Sequence, residues 1–332
     1  MGEKYGALEG MGDMKISVIM LTYNRENFIS KAIESILRQT EMDYEFIIVN
    51  NGSIDKSGEI AEMYAKIDNR IKVIHIPKSG IGKGRNTGLS LAKGDFITFV
   101  DDDDIAEYDM LEFLYNLAVE NEADISICGS NKKVEGEILP NCIFDEYLDM
   151  TPSEAVIELL KRKKINAAMP TKMIKKHLFD RIRFNETGKY DDISVTYKYM
   201  ANARKVVANG LPKYCFIRHE KNNSSFTTND MLLTPEQLNE YFSAFRERTI
   251  YLSKILPDIS EYAQYSEWSY MISMCNKIVS NNLTNCSKQL EYVKRELSKH
   301  YDEFYFGKYI EEFEKVFMRK YISKSYYGEY YA

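Results

Sequence analysis

The stretch Phe96-Ile97-Thr98-Phe99-Val100-Asp101-Asp102-Asp103-Asp104 decides how the rest of this chain is read. An apolar run of five residues ends directly in four carboxylates. A short continuous run of this kind is what a parallel strand buried on both faces requires. Adjacent carboxylates raise one another's pKa unless a cation compensates. An oxygen-rich set suits a hard divalent ion, magnesium or manganese. Continued strand geometry would place Asp101 and Asp103 on one face. The plain alternative is a solvated acidic turn with helix-capping aspartates, and the position after a buried strand favours the metal reading. A phosphatase pattern, DxDxT after an apolar strand, is a further alternative. Ile105 stands where that pattern wants threonine, and this strand is the fourth of the chain.

Upstream, apolar runs and helical spacings alternate. Ile16–Leu21, Phe46–Val49 and Ile71–Ile76 read as strands. Phe28–Leu37, a segment through Ile60, Met63 and Tyr64, and Asn86–Ala92 read as helices. Such alternation implies an α/β fold, a mainly parallel sheet with right-handed crossovers and helices on both faces. Ligands of these sheets sit beyond the carboxyl ends of the strands. Three polar clusters fall at such ends: Thr22–Arg25, Asn50–Ser53 and Asp101–Asp104. Gathered on one edge, they form the pattern of a nucleotide site.

Composition narrows the function classes. The 332 residues carry a net charge of −6, with 44% hydrophobic and 28% charged residues. No basic stripe is present for phosphate-backbone contacts, so nucleic acid is not an expected partner. Cys128, Cys142, Cys215, Cys275 and Cys286 are scattered and form no CxxC pair, which fits a reducing cytoplasm better than a disulfide framework. Neither a secretory leader nor an apolar run of membrane-spanning length, roughly 18–20 residues, is seen. The reading divides the chain into a lead-in (1–13), an α/β catalytic domain (14–231) and a helical appendage (232–332). Thr151-Pro152-Ser153-Glu154 and Thr234-Pro235-Glu236-Gln237 each fit a capping box with proline at the first helical position.

Five motifs in order resemble the family 2 glycosyltransferases of the GT-A fold. They are Thr22-Tyr23-Asn24 with Ser35-Ile36-Leu37-Arg38-Gln39-Thr40, then Asn50-Asn51-Gly52-Ser53-Ile54-Asp55, then Gly80 through Gly84-Arg85-Asn86-Thr87-Gly88-Leu89. Phe99-Val100-Asp101-Asp102-Asp103-Asp104 matches the family's DxD strand, and Asp191-Asp192 its acidic pair. The match runs from about Lys15 to about Thr228. The resemblance implies metal-assisted, inverting transfer of a hexosyl unit from a nucleotide sugar, a UDP-sugar first, to an acceptor hydroxyl. A bacterial cell-surface glycan or a lipid-linked or protein-linked acceptor is the implied setting.

The resemblance also implies roles. Thr22, Tyr23, Asn24, Arg25 and Asn51 would surround the nucleoside, with Gly80, Arg85, Asp101, Asp102 and Arg218 at the rest of the donor. Asp103, Asp101 and His219 would hold Mn2+ or Mg2+. Asp192 would be the general base, with Asp191 as fallback and helix capping as the alternative use of either. Two departures stand out: Asn51 replaces the usual aspartate of the base-reading turn, and Pro170 replaces a tryptophan shortly before the retained Lys172. A sugar-nucleotide pyrophosphorylase would want a glycine-rich, arginine-bearing loop after the first strand, which Thr22–Arg25 is not. A non-catalytic nucleotide-binding scaffold is the other rival class. Aromatics and charges mixed along Tyr301–Tyr331 read as helical packing or a homo-oligomer surface, with a peripheral membrane contact at the cytoplasmic face as the second reading.

Overall fold

The computed structural model describes residues 14–188, 190–219, 222 and 229–323. The lead-in, the Tyr326–Tyr331 tail and the end of the motif match at Thr228 lie outside the described residues.

The chain opens as β1 (Ile16–Thr22), α1 (Ile29–Leu37), β2 (Tyr44–Asn51), α2 (Ser57–Ile67), β3 (Ile71–Ile76), α3 (Ile81–Leu91) and β4 (Phe96–Asp101). The alternation expected from the sequence is therefore the observed order. All pairings within this half are parallel: β3 to β2, β2 to β1, and β1 to β4. On β1, Val18 and Met20 belong to one core layer and Ile19 to the other, so the apolar run serves both faces. α3 begins five residues before the expected Asn86, because its glycines are used for close approach. A side chain at Gly82 would run into the Asn185 carbonyl, and one at Gly84 into Leu21 of β1. Contact outweighs the roughly 1 kcal/mol that each glycine costs a helix.

The second half widens the sheet. It comprises β5 (Ile105–Ala106), α4 (Met110–Glu120), β6 (Ile125–Val134), β7 (Glu137–Cys142), β8 (Tyr147–Met150), α5 (Pro152–Lys161), β9 (Lys172–Lys175), α6 (Asp192–Asn202) and β10 (Val206–Arg218). The strand order is β3-β2-β1-β4-β9-β6-β10-β5, with β7 on β6 and β8 on β10. β9 is antiparallel to both β4 and β6, which leaves β4, β6 and β10 pointing the same way. Their carboxyl ends therefore share an edge.

α7 (Pro235–Ile255), α8 (Ser260–Ser280), α9 (Ser287–Lys299), α10 (Tyr301–Tyr305) and α11 (Glu312–Tyr321) form the helical region. Both expected capping boxes are present, at Thr151 of α5 and Thr234 of α7. Phe242, Phe245, Met271, Phe304 and Met318 fill a third core, against which Tyr190 and Ile193 also pack. Phe304 is buried there, whereas Phe306 and Phe313 face outward. Among the described residues no helix is long and apolar enough to cross a membrane. The five cysteines are free thiols.

Candidate active site

The turns after β1 and β2 are sewn together by side chains. Asn24 takes the left-handed conformation (φ 54°), its amide donates to Ser53 Oγ at 3.1 Å, and its Oδ1 accepts from Ile54 N at 2.9 Å. The Arg25 amide donates to Ser57 Oγ at 2.7 Å. Thr22 is buried at the end of β1. Tyr23 OH accepts from Lys78 Nζ at 2.6 Å, a contact that the sequence did not signal. Asn51 spends its whole amide on Ser79: Oδ1 accepts from Ser79 N at 2.9 Å and Oγ at 2.8 Å, and Nδ2 donates to Ser79 O at 2.9 Å. An aspartate could not make the last bond. That carbonyl gives a local physical reason for asparagine at this position.

The four aspartates divide by burial. β4 ends at Asp101 and the chain turns, so strand geometry does not continue through Asp103. Even so, Asp102 and Asp104 are buried while Asp101 and Asp103 keep part of their surface. Asp102, expected at the donor, accepts from Tyr23 N at 3.2 Å, and Asp104 accepts from Ile217 N at 2.7 Å. Both bonds pin neighbouring backbone. Burial, then Asp103, pushes Asp102 up to about 8. Burial, then Asp101 and Asp103, raises Asp104 well above the usual carboxylate range. Asp101 is raised to about 6 by burial, although Arg85 works against the shift.

Asp103 faces three groups. His219 Nε2 lies 2.9 Å from its Oδ2, Arg25 Nε 3.3 Å and Asn222 Nδ2 3.3 Å. His219 is stacked on Phe28, with ring centroids 4.4 Å apart. Arg218 ends β10 with its guanidinium 5.5 Å from the Phe216 ring.

Arg85 joins this edge to the acidic pair. It is buried, with Nη2 3.3 Å from Asp101 Oδ1 and Nη1 2.9 Å from Asp191 Oδ2, between the rings of Phe99 and Phe184. Asp191 and Asp101 together hold its pKa above the ordinary value despite burial. The next residue, Asn86, clasps Phe184 with its amide: Oδ1 accepts from Phe184 N and Nδ2 donates to Phe184 O, each at 3.0 Å. Gly80 precedes α3, and a side chain there would meet the Glu186 carbonyl. The Arg-Asn pair and its glycines thus fasten Phe184, Asn185, Glu186 and Asp191 over the strand ends. Asn86 lay within a quoted motif, yet only the fold reveals its clasp.

The two acidic residues differ. Asp191 precedes α6 but makes no side-chain cap; its carboxylate is given to Arg85. Burial raises it to about 6. Asp192 opens the helix, and its Oδ1 accepts from Ile193 N at 2.9 Å. Lys172 lies buried nearby, its Nζ donating to Asn166 O at 2.8 Å, Ala168 O at 2.6 Å and Thr171 Oγ1 at 3.3 Å. Thr196 Oγ1 lies 2.7 Å from Ala167 O and 2.9 Å from Asp192 O, which ties the same loop to the first turn of α6.

Among the described residues no three His, Cys, Asp or Glu side chains close around a point where a metal could sit. Magnesium and manganese do not need such a cage, since one or two carboxylates plus substrate phosphates and water commonly suffice. The oxygen of Asp103 and the nitrogen of His219, converging at the strand ends, fit that partial role.

An open α/β sheet with this carboxylate edge and a helical C-terminal region has the GT-A glycosyltransferase fold. Residues 17–141 match the family model described as Glycosyl transferase family 2. Glycosyltransferase GlyG of Streptococcus pneumoniae serotype 4 is 36% identical over 205 residues, 58% of this chain and 67% of GlyG. The chain belongs to glycosyltransferase family 2. Among solved structures, S. aureus TarS residues in complex with UDP-GlcNAc superpose with a TM-score of 0.62 at 21% identity, covering 86% of this chain and 92% of that one. The mannosyltransferase PcManGT from Pyrobaculum calidifontis, in complex with GDP-Man and Mn2+, gives 0.51 at 15% identity, covering 78% and 74%. At these identities the structural likeness is one of fold.

Proposed function

We propose that this glycosyltransferase moves a sugar from a UDP-sugar to an acceptor hydroxyl with inversion, using Asp192 as base. The observation that supports this most is the reach of one guanidinium, Arg85, from Asp101 to Asp191. It brings the donor-side carboxylates and the acidic pair into one site. Asp191 is occupied by Arg85 and buried, which leaves Asp192 as the carboxylate for the acceptor. The Ile193 amide fixes one oxygen of Asp192. The other takes the proton from the acceptor hydroxyl as that oxygen attacks the anomeric carbon. The diphosphate leaves from the opposite side, so configuration inverts in a single displacement.

Asp103 and His219 would hold a divalent ion, which supplies neutralisation of the departing diphosphate. Arg25, beside Asp103, adds a fixed positive charge to the same edge. The sewn turns of Thr22–Arg25 and Asn51–Ser53 form the floor for the nucleoside. Their rigidity comes from the Ser53, Ser57 and Ser79 bonds. Acceptors in cell-surface glycan synthesis are the setting that the family suggests.

The test is calorimetric binding of UDP with and without Mn2+, beside UDP release from UDP-sugars. Asp192→Asn is expected to lower turnover by roughly 10²–10⁴-fold while UDP affinity stays within about twofold of wild type. Asp103→Asn is expected to remove the Mn2+ dependence of UDP binding. Wild-type turnover in Asp192→Asn would remove it as the base.

A further inference from the structure

A second site lies on the helical side. Between α5, α7 and α8 is a cavity of about 370 Å³, walled by Arg162, Tyr241, Arg248 and the serines Ser266, Ser269 and Ser273. Its volume falls in the range of roughly 300–1,000 Å³ typical of small-ligand pockets. The three serines are spaced three and four apart on α8, so they line one face of that helix.

Two guanidinium groups converge on it. Arg248 lies 4.2 Å and Arg162 5.6 Å from the centroid of the same Phe245 ring. Arg162 ends α5 in the left-handed conformation, φ 57° and ψ 26°. Arg248 keeps only 7% of its surface, its Nη2 donates to Ser266 Oγ at 2.9 Å, and its buried Nε has no partner among the described residues. The lysines of the wall are already paired, Lys161 with Glu158 and Lys277 with Asp230, each at 2.6 Å. Glu267 offsets the Arg248 charge without an ion pair, and burial with Arg162 pushes that guanidinium down to about 9. A guanidinium keeps its proton. Among the described residues no carboxylate forms an ion pair with Arg248, so this wall of the cavity keeps positive charge available to a ligand.

We propose that this cavity binds the phosphate ester of a polyol, phosphate against Arg162 and Arg248, hydroxyls along the serine row. Two forked guanidiniums suit a phosphate, which brings a charge near −1.5 to −2 as a monoester and about −1 for each diester of a chain. Serine and tyrosine hydroxyls on the remaining wall donate and accept, as sugar or alditol hydroxyls require. Packing joins the cavity wall to the segment that precedes the acidic pair. Tyr241 of its wall packs on Tyr190 at 5.0 Å between centroids, and the adjacent Glu240 accepts from Tyr190 N at 2.9 Å, just before Asp191-Asp192. The ester comes either from a phosphate-bearing acceptor chain or from a free small molecule. Only the first source rests on the transferase reading above.

Calorimetry on the full chain with glycerol 3-phosphate, and with glycerol as neutral counterpart, tests the site; UDP is the separate probe of the strand-end site. Glycerol 3-phosphate is expected to bind and glycerol not. Arg162→Ala, at the exposed rim, should weaken the ester at least tenfold. Ser269→Asp, which sets a like charge against it, should abolish binding. UDP affinity should stay unchanged in both variants, which also shows that they fold. A flat wild-type isotherm, wild-type affinity in both variants, or displacement of the ester by UDP overturns the proposal. Faster UDP release with poly(glycerol phosphate), lost in Arg162→Ala, supports it with the acceptor as source. A change in that rate with the free ester alone supports it with a small effector. Ester binding without UDP binding sinks the transferase reading and leaves the cavity assignment standing.

Discussion

The two ends of the one sheet treat buried carboxylates in opposite ways. At the amino ends, Asp124 before β6 accepts from Arg204 Nη2 at 2.9 Å and Nε at 3.1 Å, and Lys175 adds an ion pair at 3.3 Å. Glu45 on β2 accepts from Ser17 Oγ at 2.7 Å, Lys93 N at 2.6 Å and Lys72 Nζ at 2.6 Å. Both pKa values fall in spite of burial, that of Asp124 to about 2. At the carboxyl ends, Asp101, Asp102 and Asp104 are all raised by burial. The satisfied end stabilises the sheet. The other end holds carboxyls that burial and mutual repulsion keep from ionising until a cationic ligand or metal relieves them, which is the mark of a candidate site.

Substitutions can break or sharpen that contrast. The largest effect is expected for Arg85→Gln, which strips the guanidinium from Asp101 and Asp191. Loss of one partner of a buried ion pair costs about 3–5 kcal/mol, read as a lower unfolding midpoint together with lost transfer. A variant as stable as wild type would mean that the carboxyl edge does not need the buried Arg85 cation.

Next is Asn51→Asp, which points a charge at the Ser79 carbonyl. UDP is expected to bind about tenfold more weakly, roughly 1.4 kcal/mol. Tighter binding would show instead that position 51 reads the base directly. Asp124→Asn probes the amino end. Its folded pKa of about 2 lies below the ordinary aspartate value of 3.8, so its stabilisation is present above about pH 4 and lost as pH falls towards 2. Arg204 is largely exposed, which limits the contribution to about 1 kcal/mol. Chemical unfolding between pH 7 and 2 should show that difference closing at acid pH. The smallest effect is expected for Asp102→Asn without metal or donor, within about 0.5 kcal/mol of wild type at neutral pH, because a carboxyl raised to about 8 is already largely protonated there and asparagine replaces that neutral form. A large loss of stability there would erase the distinction between the two ends.

Much of the carboxyl edge was legible because its devices are local. A strand ending in aspartates, a turn with Asn-Gly-Ser and the two capping boxes each carry their mechanism within a few residues. What the sequence does not show is joined across long separations: Asn86 with Phe184, and Arg162 with Arg248, are unremarkable residues until the fold brings them together. Helix α3 was placed late for a related reason: its glycines look like breakers until Leu21 and Asn185 are seen against them. The end of β4 is legible too, since the apolar run stops at Val100 and the strand closes one residue later at Asp101.

The neighbouring residues Arg85 and Asn86 carry a practical lesson for enzyme engineering. One grips Asp101 and Asp191, the other Phe184, so the first and second halves of the chain are bolted together through a single helical turn. A chimaera that swaps acceptor preference by exchanging everything after β4 must therefore import a segment that fits those two side chains. Donor and acceptor halves would be inherited as a matched set, and recombination between distant relatives would be penalised at this joint before either substrate is met.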